Sequence, residues 1–220
     1  PSNAILSVSG DFQPDKIFTL AEKWFGGIED IAYPIDPIPQ EPIQTEARRV
    51  EVERDVPATT IVIAFHMGNR LSHDFFLGDM TSDLLAGGDS ARLYEHLIKN
   101  KRMFASVNAY ISGDVDCGMF VFTGQLLPST TESEAEAAFW DEMEELKNGI
   151  ISDYELEKVK NKFEANTIFG ELNVMNKAMN LGYYQMIGDL DLINREVEIY
   201  RSLMREEVAD FSQRTFRKEN

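Results

Sequence analysis

With 220 residues, 43% apolar and 10% aromatic side chains, the chain has material for one large domain or two small ones around a hydrophobic core, which excludes a disordered polymer. Its formal charge of −17 repels phosphate backbones and anionic lipid headgroups, so nucleic acid and anionic membrane surfaces are not expected partners. A single cysteine, Cys117, permits no internal disulfide, and no apolar run approaches the ~20 residues that span a bilayer.

In chain order, Ala4–Ser9 (Ala-Ile-Leu-Ser-Val-Ser) is apolar and β-rich and stops at Gly10-Asp11, so it predicts a strand. A strand this near residue 1, with no charged leader before it, points to a cut through a longer protein. The compartment, cytoplasmic or periplasmic, therefore stays open. Gln13-Pro14 opens a helix, because a proline in the first turn gives up an N–H that has no intrahelical acceptor anyway. Ile17, Phe18, Leu20, Ala21, Trp24 and Phe25 give that helix an apolar face, and Gly26-Gly27 ends it. Residues 28–44 hold Pro34, Pro37, Pro39 and Pro42 and read as an extended linker. Arg48–Val56 alternates Val50 and Val52 with Glu51 and Glu53, the pattern of a half-exposed strand. The more continuous run Thr59–Phe65 predicts a buried central strand.

Ser72 caps a helix to about Leu85, Gly87-Gly88 breaks it, and Asp89 or Ser90 caps a second helix bearing Leu93, Tyr94, Leu97 and Ile98. Two strands follow near Phe104–Ser112 and Gly118–Leu127, across the turn Gly113-Asp114-Val115-Asp116. Thr131-Glu132-Ser133-Glu134 opens the first of several acidic amphipathic helices, which turns Ala138, Phe139, Met143 and Leu146 inward and stops at Asn148-Gly149. Asp153 caps the next, carrying Leu156, Val159, Lys160 and Phe163. This order predicts an α+β fold, a mixed or antiparallel sheet with helices packed on one face.

The chemistry-bearing residues are sparse. His66, His73 and His96 lack the i,i+3 or i,i+4 spacing at which one helix presents two ligands to a metal, and no HxxEH or HxxE motif occurs. Glu95 and His96, adjacent on a helix, point about 100° apart and do not share an ion. No catalytic residue and no metal site is expected on this chain. Glu134, Asp141, Glu142, Glu144 and Glu145 are expected on the solvated side of their helix, opposite Phe139 and Leu146. Asp114 and Asp116 are too few for a calcium loop of about twelve residues. Gly87-Gly88-Asp89-Ser90 precedes a helix and is placed to cradle an anion, but it lacks a P-loop lysine and Asp89 repels phosphate, so helix punctuation is the stronger reading. Cys117 has no neighbouring base in sequence and is expected to be half-buried and inert.

Several segments in this order resemble the M16 peptidases, zinc proteases of the insulinase and mitochondrial-processing-peptidase type. Pro1-x-Asn3-Ala4-Ile5-Leu6 through Gly10-Asp11-Phe12 resembles the strand that follows the family's catalytic segment. Ala21-Glu22-Lys23-Trp24-Phe25-Gly26-Gly27-Ile28 is similar to its a-x-k-y-F-G-x-i helix end. The most specific match, Leu85 to Leu97, resembles L-x-G-x-x-S-R-L-x-x-x-L with one residue inserted, and Phe216–Asn220 resembles the end of one half of the protease. The resemblance implies an M16-type repeat in which residues 1–45 close a preceding catalytic subdomain and carry the linker, while 46–220 form an α+β domain of the C-terminal type. It implies a non-catalytic, substrate-chamber domain of a zinc endopeptidase, with zinc and the HxxEH residues elsewhere in the parent. The implied partners are the remaining domains of the parent, or a homologous half, and unfolded peptide substrate. An inactive scaffold that holds partner chains is the alternative. The family's second half also offers an arginine on the strand occupied here by Gly118–Phe122, where none occurs. Gly87, Gly88, Asp89 and Ser90 stand where the processing peptidase's non-catalytic subunit has a longer substrate-guiding glycine loop, which implies substrate contact at these four residues.

Overall fold

The computed structural model describes residues 3–30, 39 and 41–220, so the centre of the expected proline-rich linker, 31–38 and 40, lies outside the described residues. The chain folds as two compact units, Pro1–Ile43 with Asn166–Glu196, and Gln44–Ala165 with Val197–Asn220.

The second unit is built on a three-stranded antiparallel sheet of order β1-β3-β2, from β1 (Thr60–Met67), β2 (Phe104–Gly113) and β3 (Gly118–Leu126). The register sets Phe65 opposite Phe120 and Ala109 opposite Phe122. Because side chains alternate across a strand, these four share one face, and all are buried. Helices α2 (His73–Ala86), α3 (Glu132–Lys147) and α7 (Arg205–Thr215) supply the core that meets them. Phe139 of α3 lies 4.6 Å from Phe122 between ring centroids, and Phe216, just past α7, lies 4.9 Å from Phe120 and 5.2 Å from Phe65. These tilted and edge-on ring pairs add to the area that the rings bury. Within this unit, α4 (Asp153–Gly170) as far as Ala165 buries Leu156, Val159 and Lys160, the face expected from sequence. The Lys160 ammonium is satisfied by the Arg201 carbonyl at 3.0 Å.

Local signals explain α3 well. Thr131 accepts the Glu134 N–H at 3.3 Å and the Glu134 carboxylate accepts the Thr131 N–H at 2.9 Å, a reciprocal capping box. Ala138, Phe139, Met143 and Leu146 are all buried, as their spacing predicts. Replacing Thr131 by alanine is expected to cost about 1 kcal/mol, read as a lower urea midpoint with unchanged slope.

Five sequence expectations are corrected. Ala4–Ser9 and Arg48–Val56 form no strand. A strand exists through its ladder partner, and neither segment has one among the described residues. Arg49 is instead tied to α3, 2.8 Å from Glu136 and 3.7 Å from Glu132. The strand at Thr59–Phe65 is present as β1 but lies at the sheet edge, with Val62 exposed rather than central and buried. An apolar run alone does not distinguish an edge strand with one covered face from an interior one. The helix expected after Gly88 is wound over Tyr94–Asn100 as a π-helix. Finally, it is Ser152 rather than Asp153 that accepts the Glu155 N–H, at 3.2 Å, and so caps α4.

The first unit carries α1 (Pro14–Phe25), α5 (Val174–Met186) and the start of α6 (Leu192–Ser202). Pro14 stands at the first helical position as expected, yet none of α1 is buried, and Phe18, Trp24 and Phe25 lie bare. Asn173 caps α5 by accepting the Met175 and Asn176 N–H groups. Among the described residues, no helix is long and apolar enough to cross a membrane.

Candidate functional site

Gly87 ends α2 with its N–H on the Asp83 carbonyl at 2.9 Å, and Gly88 follows at φ +133°, a conformation that a side chain strains. Two lysines of α4 hold this turn. Lys162 donates to the Asp83 carboxylate at 2.8 Å and to the Gly87 carbonyl at 3.1 Å, and Lys158 donates to the Ser90 carbonyl at 2.7 Å. The lysine charges are thus spent on the turn's own acceptors, which fits punctuation and stabilises one loop conformation. The following π-helix is preceded by Leu93, with no side-chain cap, so neither Asp89 nor Ser90 fills the capping role expected of it.

The three histidines do not converge. His73 Nε2 lies 3.0 Å from Glu207, His66 stands on β1 with its carbonyl accepting Asn220 Nδ2 at 2.9 Å, and His96 Nδ1 lies 2.8 Å from the Glu142 carboxylate. Glu142 is the exception to the expected solvated side of α3, being only 3% exposed. Its spacing from Phe139 and Met143 puts it in the apolar stripe, and this was the available signal. Nothing in sequence links it to His96, 46 residues away. Glu145 completes this group, and the three ligand atoms lie within 4.8 Å of one another. Cys117 is exposed rather than half-buried, because the short β2–β3 connection projects into solvent.

Beside this group, Arg92 is buried and gathers acceptors from three places: Glu155 at 3.0 Å, the Ile150 carbonyl at 2.5 Å and Glu145 at 3.4 Å. Burial pushes the Glu155 carboxyl up, but the Ser152 N–H and hydroxyl, with the Arg92 guanidinium, outweigh it and hold the carboxyl below its ordinary range.

The face of the sheet away from the helices presents Val62 on β1, Met119 on β3 and Tyr110 on β2, all exposed. No Asp, Glu, Lys or Arg occurs in any of the three strands, although such residues make up 27% of the chain. A charge-free, partly apolar sheet face in so acidic a protein is suited to contact with another polypeptide. In the first unit, a cleft of about 490 Å³ is lined by Lys177, Asn180, Asp191 and Asn194 beside Leu181 and Leu190.

Residues 1–163 match the family described as the Peptidase M16 inactive domain. Zinc protease PqqE of Helicobacter pylori is 28% identical over 171 residues, which cover 76% of this chain and 38% of that protein. An uncharacterized zinc protease of Rickettsia felis is 21% identical over 97% of this chain and 51% of its own length. The chain therefore spans between about two fifths and half of these relatives. Among solved structures, a protease from Helicobacter pylori superposes with a TM-score of 0.89 at 23% identity, over 96% of this chain and 52% of that one. The peptidase M16 inactive domain from Pseudomonas fluorescens gives a TM-score of 0.77 at 17% identity, over 96% and 50%. At these identities the superpositions establish the α+β fold.

Proposed function

The chain belongs to the M16 peptidases, in the part described as their inactive domain, and we propose that it forms a non-catalytic wall of the substrate chamber of a zinc endopeptidase. The observation that carries this reading is the charge-free outer face of the sheet, with Val62, Tyr110 and Met119 bare. An extended, unfolded peptide meets such a face without having to desolvate a charge. Residues 1–45 close a preceding catalytic subdomain in this reading, and 46–220 form the C-terminal-type domain. Gly87, Gly88, Asp89 and Ser90 touch substrate from a turn that Lys158 and Lys162 hold in place.

The family's zinc is carried outside this chain, since the sequence has no HxxEH motif. The residues present do not fit a catalytic zinc centre with its glutamate base, and no hydrolytic step is assigned to them. The partners are accordingly the other domains of the parent, or a homologous half, and the peptide substrate.

The test uses the full-length parent and a quenched-fluorescence unfolded peptide. Val62→Asp and Tyr110→Asp are expected to raise KM roughly tenfold with kcat little changed, the signature of lost uniform binding. The chain by itself is expected to show no chelator-sensitive cleavage. Unchanged KM in both variants, or chelator-sensitive cleavage by the isolated chain, defeats the proposal. A parent that lacks HxxEH and cleaves nothing favours the alternative, a scaffold holding partner chains.

A further inference from the structure

The His96–Glu142–Glu145 group brings together a π-helix and α3. Its donors are one imidazole nitrogen and two carboxylate oxygens, all within 4.8 Å of one another. Such a nitrogen–oxygen set suits zinc and its first-row neighbours, and bonds of about 2.0–2.2 Å to a tetrahedral ion set donors ~3.3–3.6 Å apart. His96 Nδ1 and Glu142 Oε2, at 2.8 Å, need only a small separation, and Glu145 offers an oxygen within 4.8 Å of both ligand atoms. Three further features favour a cation. Glu142 is buried, with His96 at 2.8 Å and the Lys101 ammonium no nearer than 3.9 Å, and a buried carboxylate favours a cation in direct contact. Glu142 and Glu145 stand at i,i+3 on α3, so one rigid element presents both. His96 lies within a π-helix, a rare winding that concentrates at functional sites.

The neighbouring cations leave room for an ion. Arg92 keeps Glu155 at 3.0 Å and the Ile150 carbonyl at 2.5 Å when Glu145 turns away, so its burial stays compensated. The Lys101 ammonium, 3.9 Å from Glu142, is beyond hydrogen-bond distance on a partly exposed side chain and is free to withdraw. We propose that His96, Glu142 and Glu145 bind one divalent transition-metal ion of the zinc class, which ties the π-helix to α3. This site is separate from the peptidase zinc of the parent and independent of the chamber reading.

Titration of the purified 220-residue chain with Co²⁺ reads the site directly. The chain has no HxxEH motif to compete for the ion. A saturable visible absorbance at one ion per chain is expected, displaced by Zn²⁺, with a raised melting temperature on zinc addition. His96→Ala and Glu142→Gln, each checked for wild-type helical circular dichroism, should weaken binding on the order of a hundredfold. Should either variant lose that signal, Glu145→Gln, a partly exposed position, is judged by the same criterion. The proposal is overturned if no saturable absorbance appears, or if the folded variants bind as the wild type does.

Discussion

Replacement of Phe139 by alanine is expected to destabilise the chain by about 3–5 kcal/mol. Phe139 is 0% exposed and sits where α3 meets the sheet, 4.6 Å from Phe122, 5.4 Å from Trp140 and 6.3 Å from Phe65 between ring centroids. Truncation removes the transfer energy of a whole ring and leaves a void that three other aromatic rings cannot fill without losing their own contacts. Phe139→Leu keeps most of the volume and should cost much less, about 1.5 kcal/mol. Tyr154→Ala, at a side chain in the same unit that is 75% exposed, should change stability by no more than about 0.5 kcal/mol. Equilibrium urea unfolding of the three variants checks this ordering. A Phe139→Ala midpoint close to that of Tyr154→Ala would show that α3 does not close the core.

Phe139 was legible because its helix announces itself locally. The Thr131–Glu134 box, the apolar stripe and the stop at Asn148-Gly149 are all consecutive in sequence, and so are the Pro14 start of α1 and the β2–β3 hairpin. What escaped depends on partners remote along the chain. Ala4–Ser9 and Arg48–Val56 have strand composition but no ladder partner among the described residues, and β1 has strand character whose edge position only its neighbours decide. The face of α1 is apolar, as its spacing predicts, yet composition does not say what covers it, and none of its residues is buried. The candidate site was the least legible part. Glu142 belongs by composition with the solvated acids and by its spacing from Phe139 with the apolar stripe, and His96 reaches it from a different helix. The charge-free sheet face, by contrast, is visible in the strand sequences themselves once the strands are located.

Arg92→Met should cost about 3 kcal/mol, and the loss should depend on pH. The guanidinium is buried and satisfies a carbonyl and two carboxylates from the segment 145–155, so its removal strands the Ile150 carbonyl and weakens the hold on Glu155. Burial alone raises the Glu155 carboxyl, and it is the hydrogen bonds from Ser152 and the charge and hydrogen bonds of Arg92 that bring it below the ordinary glutamate range. A carboxyl depressed on folding contributes stability that is present above its unfolded pKa and is lost as the pH falls through the folded one. The wild type should therefore lose this contribution as the pH falls below the ordinary glutamate pKa of about 4.3. Arg92→Met removes one of the depressing influences while burial remains, so its own loss should be smaller and be complete at a higher pH than in the wild type. Glu155→Gln, which has no proton to take up, should remove this component of the acid dependence altogether. Urea midpoints of the three proteins between pH 7 and pH 3 test the argument. Parallel curves for wild type and Glu155→Gln would mean that Glu155 is not a source of the acid sensitivity.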